Sequence, residues 1–224
     1  MNAHLTRNLT KLAIAVAAML APAATQAANF NFHVDLNVSS LVGQPNSPFF
    51  LDFQLNEGSG TLPNFVTLTN FVFTGGSATG SATTFGLATG SMGSSITLND
   101  NASNPFNELF QGFTAGTTDI QFDVSLSQNS PGVTPDQFVI SILDSEANNP
   151  PIATTDFTSS SMITVPIGAA NTLGDVQTFT STSPAGATAT VSQAAVPEPS
   201  SVMALIGGVG CLMTLRRRRS QAAA

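Results

Sequence analysis

The chain has 224 residues with 13 acidic and six basic side chains, one cysteine and a formal net charge of −7; its 16 phenylalanines are its only aromatic residues. All six basic residues sit near the ends, at Arg7, Lys11 and Arg216 to Arg219, so nothing between Ala28 and Val196 carries a lysine or arginine, while every acidic residue but Glu198 lies in that stretch. Without cations the stretch has no grip on a phosphate backbone or a phosphorylated ligand, which excludes nucleic-acid partners and nucleotide chemistry, and with Cys211 as the lone cysteine it has no disulfide or cysteine–zinc framework.

In chain order, residues 1–27 read as a secretory signal peptide. Arg7 and Lys11 form a positive leader, Leu12 to Leu20 an apolar run too short for a stable span, and Pro22 a break. Thr25-Gln26-Ala27 puts small residues where a signal peptidase reads, which predicts cleavage between Ala27 and Ala28.

Residues 28–180 read as one β domain. Phe30, Phe32, Val34, Leu36 and Val38 alternate with Asn31, His33, Asp35 and Asn37. The pattern recurs in Phe49, Leu51, Phe53 and Leu55, again in Ile120, Phe122, Val124 and Leu126, and in Phe138, Ile140 and Ile142, where Val139 and Leu143 add burial on both faces. Period-two alternation sends one side chain to a core and the next to solvent. Weaker strands are expected at Phe65 to Thr74, Thr83 to Thr89, Ile96 to Leu98, Met162 to Pro166 and Val176 to Thr180. Gly, Pro and Asn clusters such as Gly75-Gly76 and Ser130-Pro131-Gly132 mark the turns. The expected fold is all-β, a single antiparallel sandwich of jelly-roll type between a signal peptide and a C-terminal transmembrane helix. Two segments depart from the pattern. Phe106, Leu109, Phe110 and Phe113 stand at helical spacing, predicting a helical turn over Pro105 to Phe113, and Ser77 to Ser95 reads as a long loop or a weak hairpin. Residues 181–195, rich in Ser, Thr and Ala, read as a tether.

The C-terminal residues 196–220 combine three features: Val196-Pro197-Glu198-Pro199, the apolar run Ser201 to Leu215, and Arg216-Arg217-Arg218-Arg219. The run is short for a span, which thinning and snorkelling tolerate, and the arginines mark the cytoplasmic side. Prolines at 197 and 199 keep the junction extended and stop a helix from propagating outward. In this order and position the three parts resemble the PEP-CTERM sorting signal of Gram-negative bacteria. The resemblance implies that a membrane exosortase recognises Pro197, Glu198 and Pro199, removes the helix, and releases or transfers the protein to the cell surface or an exopolysaccharide matrix. The central region also resembles a family of PEP-CTERM proteins without an assigned role, on Ser40-Leu41-Val42-Gly43, Leu51 to Gly58, Gln111-Gly112-Phe113 and Pro135 to Phe138 with Leu143-Asp144. That likeness implies no active site.

Chemistry has few candidates. His33 is the one histidine outside the signal peptide and reads as a solvated strand residue. Asp52 with Glu57, or Asp119 with Asp123, are carboxylate pairs a glycosidase could use. No Trp or Tyr is present to stack a sugar. Two oxygen-rich turns, Asn99-Asp100-Asn101 and Asp144, Glu146 and Asn148, are candidates for a structural calcium, though the second fails the EF-hand pattern at Asn149 and Thr155. Asx-rich turns are also ordinary hairpin chemistry. No other cofactor is expected. The functional expectation is an exported, non-enzymatic surface or matrix protein, processed by signal peptidase and exosortase and anchored at least transiently in the membrane. The alternative is a calcium- or carbohydrate-binding lectin-like module, and a more remote one a secreted glycoside hydrolase.

Overall fold

The structure is a computed structural model and describes residues 29–59, 62–101, 103–129, 133–146, 148–168 and 170–194. Fourteen strands run in chain order: β1 (Phe30–Asn37), β2 (Phe50–Asn56), β3 (Phe65–Thr74), β4 (Ala78–Phe85), β5 (Thr89–Gly90), β6 (Ile96–Asn99), β7 (Phe106–Phe113), β8 (Asp119–Leu126), β9 (Asp136–Leu143), β10 (Ala153–Thr154), β11 (Ile163–Ile167), β12 (Gln177–Thr178), β13 (Thr180–Ser183) and β14 (Ala185–Gln193). Among the described residues the only helical pieces are two single 3₁₀ turns. The strands form two antiparallel sheets, one of eight in the order β10-β13-β14-β1-β8-β3-β6-β5 and one of six in the order β12-β11-β9-β2-β7-β4.

The alternating strands explain why the sheets face one another. Phe32, Val34 and Leu36 of β1 and Ile120, Phe122 and Leu126 of β8 are fully buried, as are Leu51, Phe53 and Leu55 of β2 and Phe138, Ile140 and Ile142 of β9. All belong to one continuous core. Burying each such side chain is worth about 1.5–3 kcal/mol before the entropy of ordering it. Their polar alternates lie on the two outer faces, which leaves those faces available for chemistry.

Two glycines at adjacent positions make the β3–β4 turn. Gly75 has φ +76°, and a Cβ on Gly76 would stand 2.1 Å from the Thr117 hydroxyl and 2.2 Å from that of Thr114. The left-handed backbone and the close approach both require the absence of a side chain. In β3, Asn70 (φ 58°) sits at a register shift in the pairing with β8, between Thr69 and Val72. A bulge re-aims a side chain, and here the Asn70 amide donates to Asp123 Oδ2 at 2.7 Å.

Three sequence expectations need correction. Pro105 to Phe113 holds no helical turn: Phe106–Phe113 is β7, paired along its length with β2. Its inward positions are Asn107, Leu109, Gln111 and Phe113, and the two polar ones are satisfied by backbone. Asn107 Oδ1 accepts from Leu87 N at 2.7 Å and Gln111 Oε1 from Met92 N at 2.8 Å. Residues 77–95 are not a long loop, since β4 pairs with β7 and β5 with β6. Residues 181–195 are no tether either: β13 pairs with β14, and β14 pairs with β1 from Phe32↔Gln193 to Asn37↔Thr188. Ala187 and Ala189 supply the inward face there, while β-favouring threonines at 188 and 190 alternate with them. The β domain therefore extends past residue 180 to the end of β14.

Candidate functional site

The outer face of the six-stranded sheet carries a groove of about 490 Å³. Its floor comes from β2, β7 and β9. Asp52 on β2 stands opposite Phe110 of β7 and Ser141 of β9, and Gln54 stands opposite Glu108 and Val139. Antiparallel register thus puts Asp52 and Glu108 on one face as diagonal neighbours. Phe85 at the end of β4 and Phe110 add apolar surface, and Asn148, Asn149, Pro151 and Ser159 line the groove from the segment between β9 and β11.

The centre of the floor is one hydrogen-bonded set. Gln54 Nε2 donates to Asp52 Oδ2 at 2.7 Å and to Glu108 Oε1 at 3.2 Å. Asp52 Oδ1 is buried without a partner. Burial first, and then the adjacent Glu108 charge, push the Asp52 carboxyl up to about 8, which favours its protonated form at neutral pH. Burial raises Glu108 as well, while its hydrogen bonds with Asp52 and Gln54 hold it down. Asp52 and Glu108 are diagonal neighbours across the β2–β7 pair, near enough for the Glu108 charge to act on Asp52.

One wall of the groove is held by Asp156. Its carboxylate accepts from Thr158 N at 3.0 Å and from the Ser161 hydroxyl at 2.6 Å, and also from the Ser159 hydroxyl. Slight burial pushes this carboxyl up, but the Ser159 and Ser161 hydroxyls outweigh it and leave it well below the usual carboxylate range.

Of the two carboxylate pairs read from the sequence, the structure separates the first and leaves the second on one face. Asp52 lies in the groove floor, whereas the charge of Glu57 acts on Asp100. Asp119 and Asp123 share the outer face of the larger sheet but have different partners. Burial and then Asp35 raise Asp119. Burial also pushes Asp123 up but is outweighed by hydrogen bonds from Asn70 and His33, and its carboxyl falls below its ordinary value. His33 is therefore not free in solvent: its Nδ1 lies 2.7 Å from Asp123 Oδ1.

Neither oxygen-rich turn gathers its residues around a common point. Asn101 Oδ1 closes its own turn with Ser103 N and Asn104 N, at 2.9 and 3.1 Å. Asn99 ends β6, and Asp100 turns inward to 2% exposure. In the second turn the Asn46 amide donates to Asp144 Oδ2 at 3.2 Å and Glu146 Oε1 at 2.9 Å, while Asn148 belongs to the groove. Among the described residues no three His, Cys, Asp or Glu side chains form a group that could hold a metal. Gln54 and Glu108 were not legible as site residues. Glu108 was hidden by the helical reading of its segment, and Gln54 carries no signal apart from the register that places it. Ala27, Ala28, Val196, Pro197, Glu198, Pro199 and Arg216 to Arg219 lie outside the described residues.

No family model matches this chain, and neither a curated protein nor a solved structure matches it.

Proposed function

We propose that the protein is an exported, non-enzymatic component of the cell surface or extracellular matrix, whose β domain binds a neutral, hydroxyl-rich polymer in the groove over Asp52, Gln54 and Glu108. The two sheets follow a jelly-roll-like plan in this reading, with the smaller sheet as the binding face. The observation that carries the reading is the groove itself: an open surface lined by amides and hydroxyls, with Phe85 and Phe110 as apolar patches and a carboxyl pair at its centre. Such a lining offers hydrogen bonds in both directions and little charge, which suits a glycan. The absence of lysine and arginine from 28–196 disfavours an anionic polymer.

Export rests on the terminal signals. The Pro197-Glu198-Pro199 junction, apolar run and arginine cluster support sorting and cleavage by an exosortase. Deleting residues 196–220 then leaves the protein uncleaved and mislocalised, and an unchanged location on fractionation would reject the sorting half. The binding half is tested on an array of neutral and acidic glycans. The wild-type protein retains neutral polysaccharides, and Gln54→Leu, which removes the bridging amide, lowers retention at least tenfold. Equal retention by both proteins, or none by the wild type, rejects this groove as the site.

A further inference from the structure

A second polar cluster lies at the strand ends, and five chain segments meet there. Asn64, just before β3, ties them together. Its backbone N donates to Asp100 Oδ1 at 2.6 Å, and its amide donates to Asp136 Oδ2 at 2.6 Å. Its Oδ1 accepts from the Ser127 hydroxyl at 2.7 Å and from Asn129 N at 3.1 Å. Asp136 Oδ1 accepts from Gly58 N at 2.7 Å. Asp100 and Asp136 are 2% and 3% exposed.

That accounting leaves one atom over. Asp100 Oδ2 is buried and has no hydrogen-bond partner, and the Asp100 and Asp136 carboxyls lie within hydrogen-bonding reach of each other. Two acceptors in contact do not satisfy one another, and an orphaned buried oxygen costs the full desolvation of that group. Glu57 adds a third negative charge to the same corner. Lysine and arginine are absent from 28–196, and His33 is engaged with Asp123 on the outer face of the larger sheet.

The counter-charge must therefore come from outside the chain, as a proton or as a cation. Several features favour the cation. Asp100 Oδ1 and both Asp136 oxygens are already fixed by N–H donors, which hold the carboxylates in place with lone pairs to spare. Backbone carbonyls crowd the same corner: a Cβ on Gly58 would stand 2.1 Å from the Thr134 carbonyl oxygen and 2.6 Å from that of Pro135. The donors are all hard oxygen, which suits calcium, an ion that completes its shell with carbonyls and water. Three negative charges also leave a larger residue against one proton than against a divalent ion.

We propose that Asp100 and Asp136 hold a divalent cation of the calcium class, bound through the Asp100 Oδ2 that the protein leaves unpartnered, with Glu57 adding its charge from further out. The site is independent of the groove and of what binds there. With only two carboxylates it is a structural site that ties the loops before β3 and after β6 to the start of β9.

The test is thermal unfolding of the purified full-length protein, stripped with EDTA and titrated with calcium chloride near neutral pH. Millimolar calcium is expected to raise Tm by roughly 5 °C or more. Asp100→Asn abolishes that rise, whereas Asp144→Asn in the other acidic turn preserves it. If Asp100→Asn does not fold, Glu57→Gln serves instead and moves the calcium midpoint at least threefold upward. A wild-type Tm indifferent to calcium, a full response in Asp100→Asn, or an unmoved midpoint in Glu57→Gln overturns the proposal; the first result assigns the counter-charge to a shared proton.

Discussion

Phe53 of the smaller sheet and Phe122 of the larger meet edge to face across the core, ring centroids 5.7 Å apart at an interplanar angle of 89°. Phe71 closes the group, 5.1 Å from Phe122 and 6.0 Å from Phe53. Phe53 and Phe122 are wholly buried. Phe53→Ala opens a cavity where the two sheets touch, and urea denaturation is expected to show a loss of about 3–5 kcal/mol. A loss under about 1 kcal/mol would mean that this contact does not join the sheets.

Asp52 gives the fold an unusual dependence on pH. Its carboxyl is raised to about 8 in the folded state, by burial and then by Glu108, against ~3.9 in an unfolded chain. Between those values the folded protein holds a proton that the unfolded one has released, so stability falls as pH rises through the window and the penalty is complete above it. Asp52→Asn keeps an oxygen for the Gln54 donor and removes the titration. The slope of Tm against pH between about 4 and 8 should flatten, with the variant more stable than wild type at the alkaline end. Differential scanning calorimetry across the range checks it.

Asp156 acts in the opposite sense. Its carboxyl is held low by the Ser159 and Ser161 hydroxyls in spite of slight burial, so its contribution is present above the unfolded value of ~3.9 and disappears as pH falls through the folded one. Asp156→Ala removes the acceptor for Thr158 N and for both hydroxyls. Amide exchange at residues 157–159 should quicken roughly tenfold or more while β1, β8 and β9 keep their protection. Because Ser159 lines the groove, the same variant should weaken glycan retention.

A chain stopped after Phe179 loses β13 and β14 and leaves one edge of β1 unpaired. Cooperative unfolding is expected to vanish in this truncation and to survive when the chain is stopped after Ala194. Circular dichroism with a urea titration distinguishes the two. A cooperative 1–179 chain would show that the last hairpin is dispensable.

The strands β1, β2, β8 and β9 were legible because each has one apolar face with few interruptions, and a period of two is then the only pattern that buries it. β7 was hidden by its own function in the core. Asn107 and Gln111 point inward to hold the backbone at Leu87 and Met92, which removes the apolar alternation and leaves Phe106, Leu109, Phe110 and Phe113 at an accidental helical spacing. β14 was hidden by size, since its buried face is made of alanines, which read as linker. The groove was less legible still. Asp52 and Glu108 stand 56 positions apart in the sequence and meet only through the β2–β7 register. The buried Asp100–Asp136 pair likewise depends on loops brought together by the sheets. Composition located the acidic surplus, and topology alone decided which carboxylates would touch.

The position of β1 has a kinetic consequence. The first strand of the domain lies between β8 and β14, with Phe32 opposite Val124 on one side and Gln193 on the other. Neither partner is near in sequence, so the larger sheet cannot close until the chain as far as residue 193 is free to fold. Closing such long loops before any contact rewards it makes folding slow and leaves apolar strands such as β1 uncovered in the meantime. A chain built this way stays open until its last strand is free to pair, and commits to its shape only then.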